Sequence, residues 1–220
     1  MTDFDPDYWQ RRIDSNPKWG ERFLTGPQGA AHPSRLAVRR LLQEFQTEKG
    51  STLSVLDLGC GPGITRLSFE RLDISYVGVD ATQGMVDLAS LRCPSEGTEF
   101  VCGGALREVS SRTVNGESFD IVHIRAVLEH LPPELAWELL ERAIPASSMA
   151  TVVTFFIPTV EGLEDEIQMD DRASVYVSAY SRPRVQELSR RSDRKVRVIP
   201  VPCVSFEGEE IVEEVWVFEP

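Results

Sequence analysis

Lysine is nearly missing from this chain. Lys18, Lys49 and Lys195 are the only three among 23 basic residues, so arginine carries the positive charge. Against 35 acidic residues the formal net charge is −12. A surface of that sign repels phosphate backbones and anionic lipid, which argues against a nucleic-acid-binding or membrane-surface protein. Cysteine is scarce too: Cys60, Cys93, Cys102 and Cys203 show no C-x-x-C spacing. That spacing is what a zinc knuckle or dithiol centre needs, so the thiols are expected to be reduced and mostly buried. No apolar run reaches the roughly 18 to 20 residues that cross a bilayer. The opening MTDFDPDYWQ has neither the basic start nor the apolar stretch of a secretory signal, so a cytoplasmic location is expected. Internal repeats and low-complexity tracts are absent. What remains is 220 residues, 41% hydrophobic and 26% charged, enough for one domain with its own core and no covalent staples.

Residues 1–50 read as an N-terminal helical cover. Tyr8, Trp9, Trp19 and Phe23 crowd its start, with a short helix over Pro6 to Ile13. His32-Pro33-Ser34 opens a stronger helix whose apolar positions Leu36, Val38, Leu41, Leu42 and Phe45 recur at helical spacing, and Gly50 ends it. From residue 51 the texture becomes strand alternating with helix. Strand runs fall at Leu53–Leu58, Ser75–Val79, Glu99–Val101, Phe119–Ile124 and Ala150–Ile157, and Pro133–Ala143 is the clearest crossover helix. That alternation predicts a parallel sheet with helices on both faces. Lys195–Val201 and Ile211–Phe218 have no helix between them, so they predict an antiparallel pair closing one edge. Residues 158–181 form a long insertion before a helix over Pro183–Arg191; segments of that length are often lids.

The sharpest signal is Val55-Leu56-Asp57-Leu58-Gly59-Cys60-Gly61-Pro62-Gly63. A buried strand runs into a turn with glycine at every second position. Glycine lets the backbone turn sharply and come close to a ligand, though a plain strand-to-helix turn also uses it. Tyr76-Val77-Gly78-Val79-Asp80 is a second strand ending in a carboxylate, 21 positions after Gly59. An acid there accepts hydrogen bonds from ribose hydroxyls in nucleotide-binding α/β folds. The alternative for Asp80 is a cap on the helix that starts near Thr82.

These residues resemble the class I S-adenosylmethionine-dependent methyltransferases. Asp57-x-Gly59-x-Gly61-x-Gly63 is similar to that family's first motif, and the likeness continues through Gly78-Val79-Asp80, Met85 to Ala89 and Phe119 to Leu131. It implies a Rossmann-like, seven-strand α/β sheet, mostly parallel with an antiparallel C-terminal strand. It implies S-adenosylmethionine as cofactor, with the Asp57, Gly59, Cys60, Gly61 and Gly63 turn along the methionine part. Asp80 would hold the ribose, Ala81 and Met85 the adenosine, and Ile124 and Arg125 the pocket edge. Many relatives carry Asp after the third strand, where this chain has Gly104, so adenine would rely on backbone near Ala105 and Leu106. Some relatives bind a divalent metal with Glu-x-x-Glu-His. Here Ala126 replaces the first Glu before Glu129-His130, and no metal is expected.

The acceptor end is less legible. His130 is the candidate general base, with a pocket-wall histidine as the alternative; His123, inside a predicted strand, reads as structural. Trp9, Phe23, Tyr176 and Tyr180 are candidates to bind the acceptor beneath a lid made by residues 1–32 and 158–181, or else plain packing. The acidic stretch Glu161 to Asp171 reads as a solvated loop or as a lure for a cationic acceptor. The expected reaction moves a methyl group to an O or N nucleophile of a small molecule. A methyltransferase acting on RNA or protein stays open through the arginines 182, 184, 190, 191 and 194, as does a non-catalytic cofactor-binding scaffold.

Overall fold

The computed structural model describes residues 7–16, 29–158, 167–170, 175–178, 180–201 and 211–220. The elements run α1 (Tyr8–Ser15), α2 (Pro33–Lys49), β1 (Leu53–Leu58), α3 (Ile64–Ser68), β2 (Ile74–Asp80), α4 (Gln83–Arg92), β3 (Thr98–Cys102), α5 (Ala105–Val114) and β4 (Phe119–Ile124). After a short 3-10 turn at Leu128–His130 come α6 (Pro133–Ala143), β5 (Ser147–Pro158), β6 (Ile167–Asp170), β7 (Val175–Ser178), α7 (Arg182–Arg191), β8 (Lys195–Pro200) and β9 (Ile211–Glu219).

Seven strands make one sheet in the order β3-β2-β1-β4-β5-β9-β8. β1 to β5 pair in parallel; β9 runs antiparallel to both β5 and β8. The expected Rossmann-like α/β sheet is therefore present, with one refinement. The last strand is inserted beside β5 and β8 takes the edge, so six strands share a direction and only β9 is reversed. The strand order reverses between β1 and β4, and the crevice above those two carboxyl ends is where such sheets take ligands.

Both faces of the sheet are covered, as parallel strands require. Val55, Tyr76, Ile121 and Val152 pack with Val38, Leu41, Leu42 and Phe45 of α2. Leu56, Leu58, Val122 and Ile124 pack with Val109, Leu139, Leu140, Val185 and Leu188 of α5, α6 and α7. α2 begins on Pro33, with the His32 side chain accepting from the Ser34 N–H, and stops at Gly50 in the left-handed region (φ 70°). It then feeds β1 from below, so its first turn lies at the carboxyl, ligand-binding end of the sheet.

The 158–181 insertion holds a hairpin that its sequence does not announce: β6 and β7 pair antiparallel, Ile167 opposite Ser178. Four-residue strands beside an acidic run give little periodicity to read. β7 lies against the Leu128–His130 turn. Among the described residues no helix is long and apolar enough to cross a membrane.

Candidate cofactor and acceptor site

At the end of β1 the three glycines all take left-handed φ values: Gly59 81°, Gly61 53° and Gly63 81°. They do different work. The Gly59 and Cys60 N–H groups donate to Val79 O at 2.7 and 2.9 Å, which ties the turn to β2. A Cβ on Gly59 would stand 2.0 Å from Val127 Cγ2; one on Gly63 would press on Ala89 and Cys93 at 3.2 Å. A Cβ on Gly61 would meet nothing within 4 Å, so this backbone faces open space.

Asp80 joins the turn to β2. Its Oδ2 accepts from the Gly61 N–H and its Oδ1 from the Thr82 N–H, both at 2.9 Å. Asp80 thus braces the glycine turn and the residue that precedes α4 at once. Burial raises its pKa, and the two N–H donors pull the other way. Each oxygen keeps a further lone pair for a ribose hydroxyl. Ala81 is exposed beside it, and Met85 is buried in α4. Across the cleft Gly104 is exposed at the start of α5 with nothing within 4 Å of a would-be Cβ, and Ala105 and Leu106 come next, half-buried. These residues fit S-adenosylmethionine: an open glycine backbone, a carboxylate with spare acceptor capacity and an uncrowded adenine side.

Three of the expected cofactor residues lie behind this surface. The Asp57 carboxylate is buried, accepting from Tyr76 Oη and facing His123 Nδ1 at 2.7 Å, so it braces β1, β2 and β4 below the turn. His123 is structural, as expected. The Ile124 side chain is fully buried in the core. Arg125 is 6% exposed and points to the start of α2 and to β9. Its Nε donates to Ser34 Oγ at 2.8 Å and its Nη2 to His32 Nδ1 at 3.1 Å, and Nε lies 3.4 Å from Glu213 Oε1. Since guanidinium only donates, His32 Nδ1 is an acceptor and its ring proton sits on Nε2, 3.5 Å from Glu213 Oε2. Burial and the neighbouring Arg125 lower the His32 pKa to about 4, which agrees with a neutral ring. Burial and Arg125 also bring Arg35 down to about 9. Sequence reasoning missed this cluster. Its one visible sign was Glu213-Glu214 inside the otherwise apolar strand β9. Cys60 is buried with its thiol pushed up by burial, so only its backbone is available to the turn.

On the acceptor side, Ala126 turns the chain with φ 55° and leads into Leu128–His130. Glu129 is buried, and burial pushes its carboxyl up to about 8, which keeps it protonated below that pH. His130 is half-buried, and the Trp9 ring meets it edge-on at 4.9 Å. α1 also rests on α4. Gln10 Oε1 accepts from the Gln83 N–H at 3.1 Å, and Ile13 Cγ2 lies 2.4 Å from a would-be Cβ on Gly84. α1 therefore reaches from the tip of β2 to the tip of β4.

Tyr180, expected against the acceptor, is instead a core residue. It is 1% exposed, its hydroxyl donates to Leu128 O at 2.6 Å, and its ring meets Trp137 and Phe155. A satisfied hydroxyl is what allows a tyrosine to be buried completely. Phe23 and Trp19 lie outside the described residues, as does the side chain of Tyr176. Among the described residues no group of three or more His, Cys, Asp or Glu is placed to hold a metal ion. The arginines of the α7 region are engaged within the chain: Arg182 with Glu214, Arg184 over Trp137, Arg190 with Glu187, Arg191 with Glu141, and Arg194 with the Ile144 and Ser147 carbonyls.

The sheet order, the glycine turn and the acid at the tip of β2 define a class I methyltransferase fold. Residues 55–146 match a family model described as a methyltransferase domain. The ubiquinone biosynthesis O-methyltransferase of Ruegeria pomeroyi is 30% identical over 126 residues, 54% of this chain and 50% of that one. The corresponding protein of Dinoroseobacter shibae is 34% identical over 85 residues, 39% of this chain and 34% of that one. The chain spans about half or less of the length of the curated relatives it matches. Among solved structures, magnesium protoporphyrin IX methyltransferase from Synechocystis with bound S-adenosylhomocysteine superimposes with a TM-score of 0.69 at 15% identity, covering 98% of this chain and 100% of that one. A Burkholderia thailandensis 1,6-didemethyltoxoflavin-N1-methyltransferase gives 0.66 at 18% identity, covering 96% and 87%.

Proposed function

We propose that this chain is an enzyme that transfers a methyl group from S-adenosylmethionine to an oxygen or nitrogen nucleophile of a small molecule. The observation that carries the reading is the Gly61 N–H to Asp80 bond, which makes the open glycine turn and the ribose carboxylate one cradle. The sulfonium supplies an already activated methyl group, so the protein's work is alignment and deprotonation. The backbone of Gly59, Cys60 and Gly61 would run along the methionine part, Asp80 would accept from the ribose hydroxyls, and backbone near Ala105 and Leu106 would meet adenine. His130, at the tip of β4, would take the proton that the acceptor loses. Trp9 meets the His130 ring and β7 lies against the Leu128–His130 turn, which supports the reading of the two segments as a cover that excludes water. The O-methyltransferase and N-methyltransferase names of the matched proteins support a small-molecule acceptor. So do the ion pairs that Arg182, Arg190 and Arg191 of the α7 region already make within the chain. The free thiols Cys60, Cys93 and Cys102 support a reducing, cytoplasmic setting.

Calorimetry tests the cofactor. S-adenosylmethionine is expected to bind, and Asp80→Ala to weaken it on the order of 10- to 100-fold, the worth of hydrogen bonds to a charged group. Binding of a dinucleotide with no response to S-adenosylmethionine would overturn the reading. A second expectation concerns metal. Because Ala126 stands where some relatives have a ligand, methyl transfer should proceed unchanged in excess chelator. Activity lost to the chelator and restored by magnesium would show the opposite.

A further inference from the structure

Arg125 is buried at the end of β4, where the reaction as outlined gives it nothing to do. Its guanidinium joins three parts of the chain: β4 itself, the first turn of α2 through His32 and Ser34, and β9 through Glu213. The side chains of His32, Arg125 and Glu213 are 0%, 4% and 2% exposed. Taking away one partner of a buried ion pair leaves the other charge uncompensated, so Arg125 and Glu213 hold each other in place.

Immediately after Arg125 the chain enters the acceptor side of the site. Ala126 takes a left-handed φ of 55°, a conformation that a residue with a Cβ keeps only where its surroundings impose it. Val127 then packs on the glycine turn, with Cγ2 2.0 Å from the place of a Cβ on Gly59. The His130 N–H donates back to Val127 O at 2.9 Å, and the His130 ring lies under Trp9. A side chain anchored on α2 and β9 is thus joined directly to the turn that touches the cofactor cradle at Val127 and carries the imidazole at His130.

We propose that Arg125 is a positioning residue which, anchored by His32, Ser34 and Glu213, fixes the Ala126–His130 turn and so sets where the His130 imidazole stands relative to the glycine turn. The proposal rests on the reading of His130 as the base for methyl transfer. Lysine would not replace it, since an ammonium lacks the planar fork that reaches Ser34, His32 and Glu213 together.

The test uses the whole chain with isotope-labelled histidine, in Arg125→Lys and, as a milder change, Glu213→Gln. Trp9→Leu identifies the His130 resonance, because that variant removes the ring current of the adjacent indole. Both test variants are expected to move this resonance. In kinetics, Arg125→Lys should lower kcat on the order of 10- to 100-fold, with little change in the calorimetric affinity for S-adenosylmethionine. In a His130→Ala background the same change should cost nothing further, because its effect runs through the imidazole. A His130 resonance unmoved in the folded variants, or losses that multiply in the double variant, would overturn the proposal. If Arg125→Lys does not fold, Glu213→Gln decides by the same two readouts. A wild-type chain that transfers no methyl group would instead overturn the reading beneath it, while the resonance shift would still report on the positioning.

Discussion

His130→Ala is expected to lower kcat by about 10² to 10⁴-fold, the usual contribution of a general base. The affinity for S-adenosylmethionine should hardly change, because the cradle is made by Gly61 and Asp80 and the imidazole stands in the turn that follows β4. The loss should shrink as the acceptor becomes more acidic. A nucleophile that is already ionised at the assay pH has no proton to give, so the variant would then approach the wild type. Steady-state rates on acceptors of graded pKa provide the measurement. A loss that is the same for every acceptor would return His130 to the pocket wall. The Trp9 indole, set edge-on against the imidazole, restrains the orientation of the ring.

The second large effect is on stability, and it separates two glycines that look alike in sequence. Gly59→Ala places a Cβ at φ 81° and 2.0 Å from Val127 Cγ2. The left-handed backbone costs an L-residue about 1 to 2 kcal/mol, and forcing a methyl group into a filled space about 1 to 3 more. Together they take a large part of a stability that is ordinarily about 5 to 15 kcal/mol. Gly61→Ala carries only the first cost, since nothing lies within 4 Å of its Cβ. Its methyl group would instead stand where the cofactor must approach. Denaturant midpoints and calorimetry on the two variants should therefore cross: Gly59→Ala strongly destabilised, Gly61→Ala losing only the backbone part but poor at binding. Adding Val127→Ala to Gly59→Ala should recover the steric part and leave the backbone part. Equal destabilisation by the two glycine variants would show that the Val127 contact contributes nothing.

Much of the fold is legible in the residues alone. The five parallel strands stand within a few residues of the apolar runs that announce them, and α2 starts at Pro33 and stops at Gly50 as its punctuation indicates. The glycine turn and Asp80 are legible for the same reason. Strand periodicity, proline's fixed φ and glycine's left-handed φ are properties of a few adjacent residues and need no distant partner. The place of β9 is not of that kind. An antiparallel pair at the C-terminus is readable, but which of its strands adjoins β5 depends on how the rest of the sheet is filled.

The sequence by itself therefore determined the fold class, the five parallel strands and the cradle in which a cofactor would lie. Only the tertiary structure decided what the side chains around that cradle do. Arg125 reads as a pocket-edge residue until folding brings in Ser34 and Glu213, 91 and 88 positions away. Asp57 reads as part of the ligand turn until His123, 66 positions on, takes its carboxylate. Tyr180 reads as an acceptor platform until the Leu128 carbonyl, 52 positions back, satisfies its hydroxyl and lets it sink into the core. The physical reason is common to all three. A buried polar group must find a partner, and in a doubly wound sheet that partner sits on a neighbouring strand or helix far away in the chain.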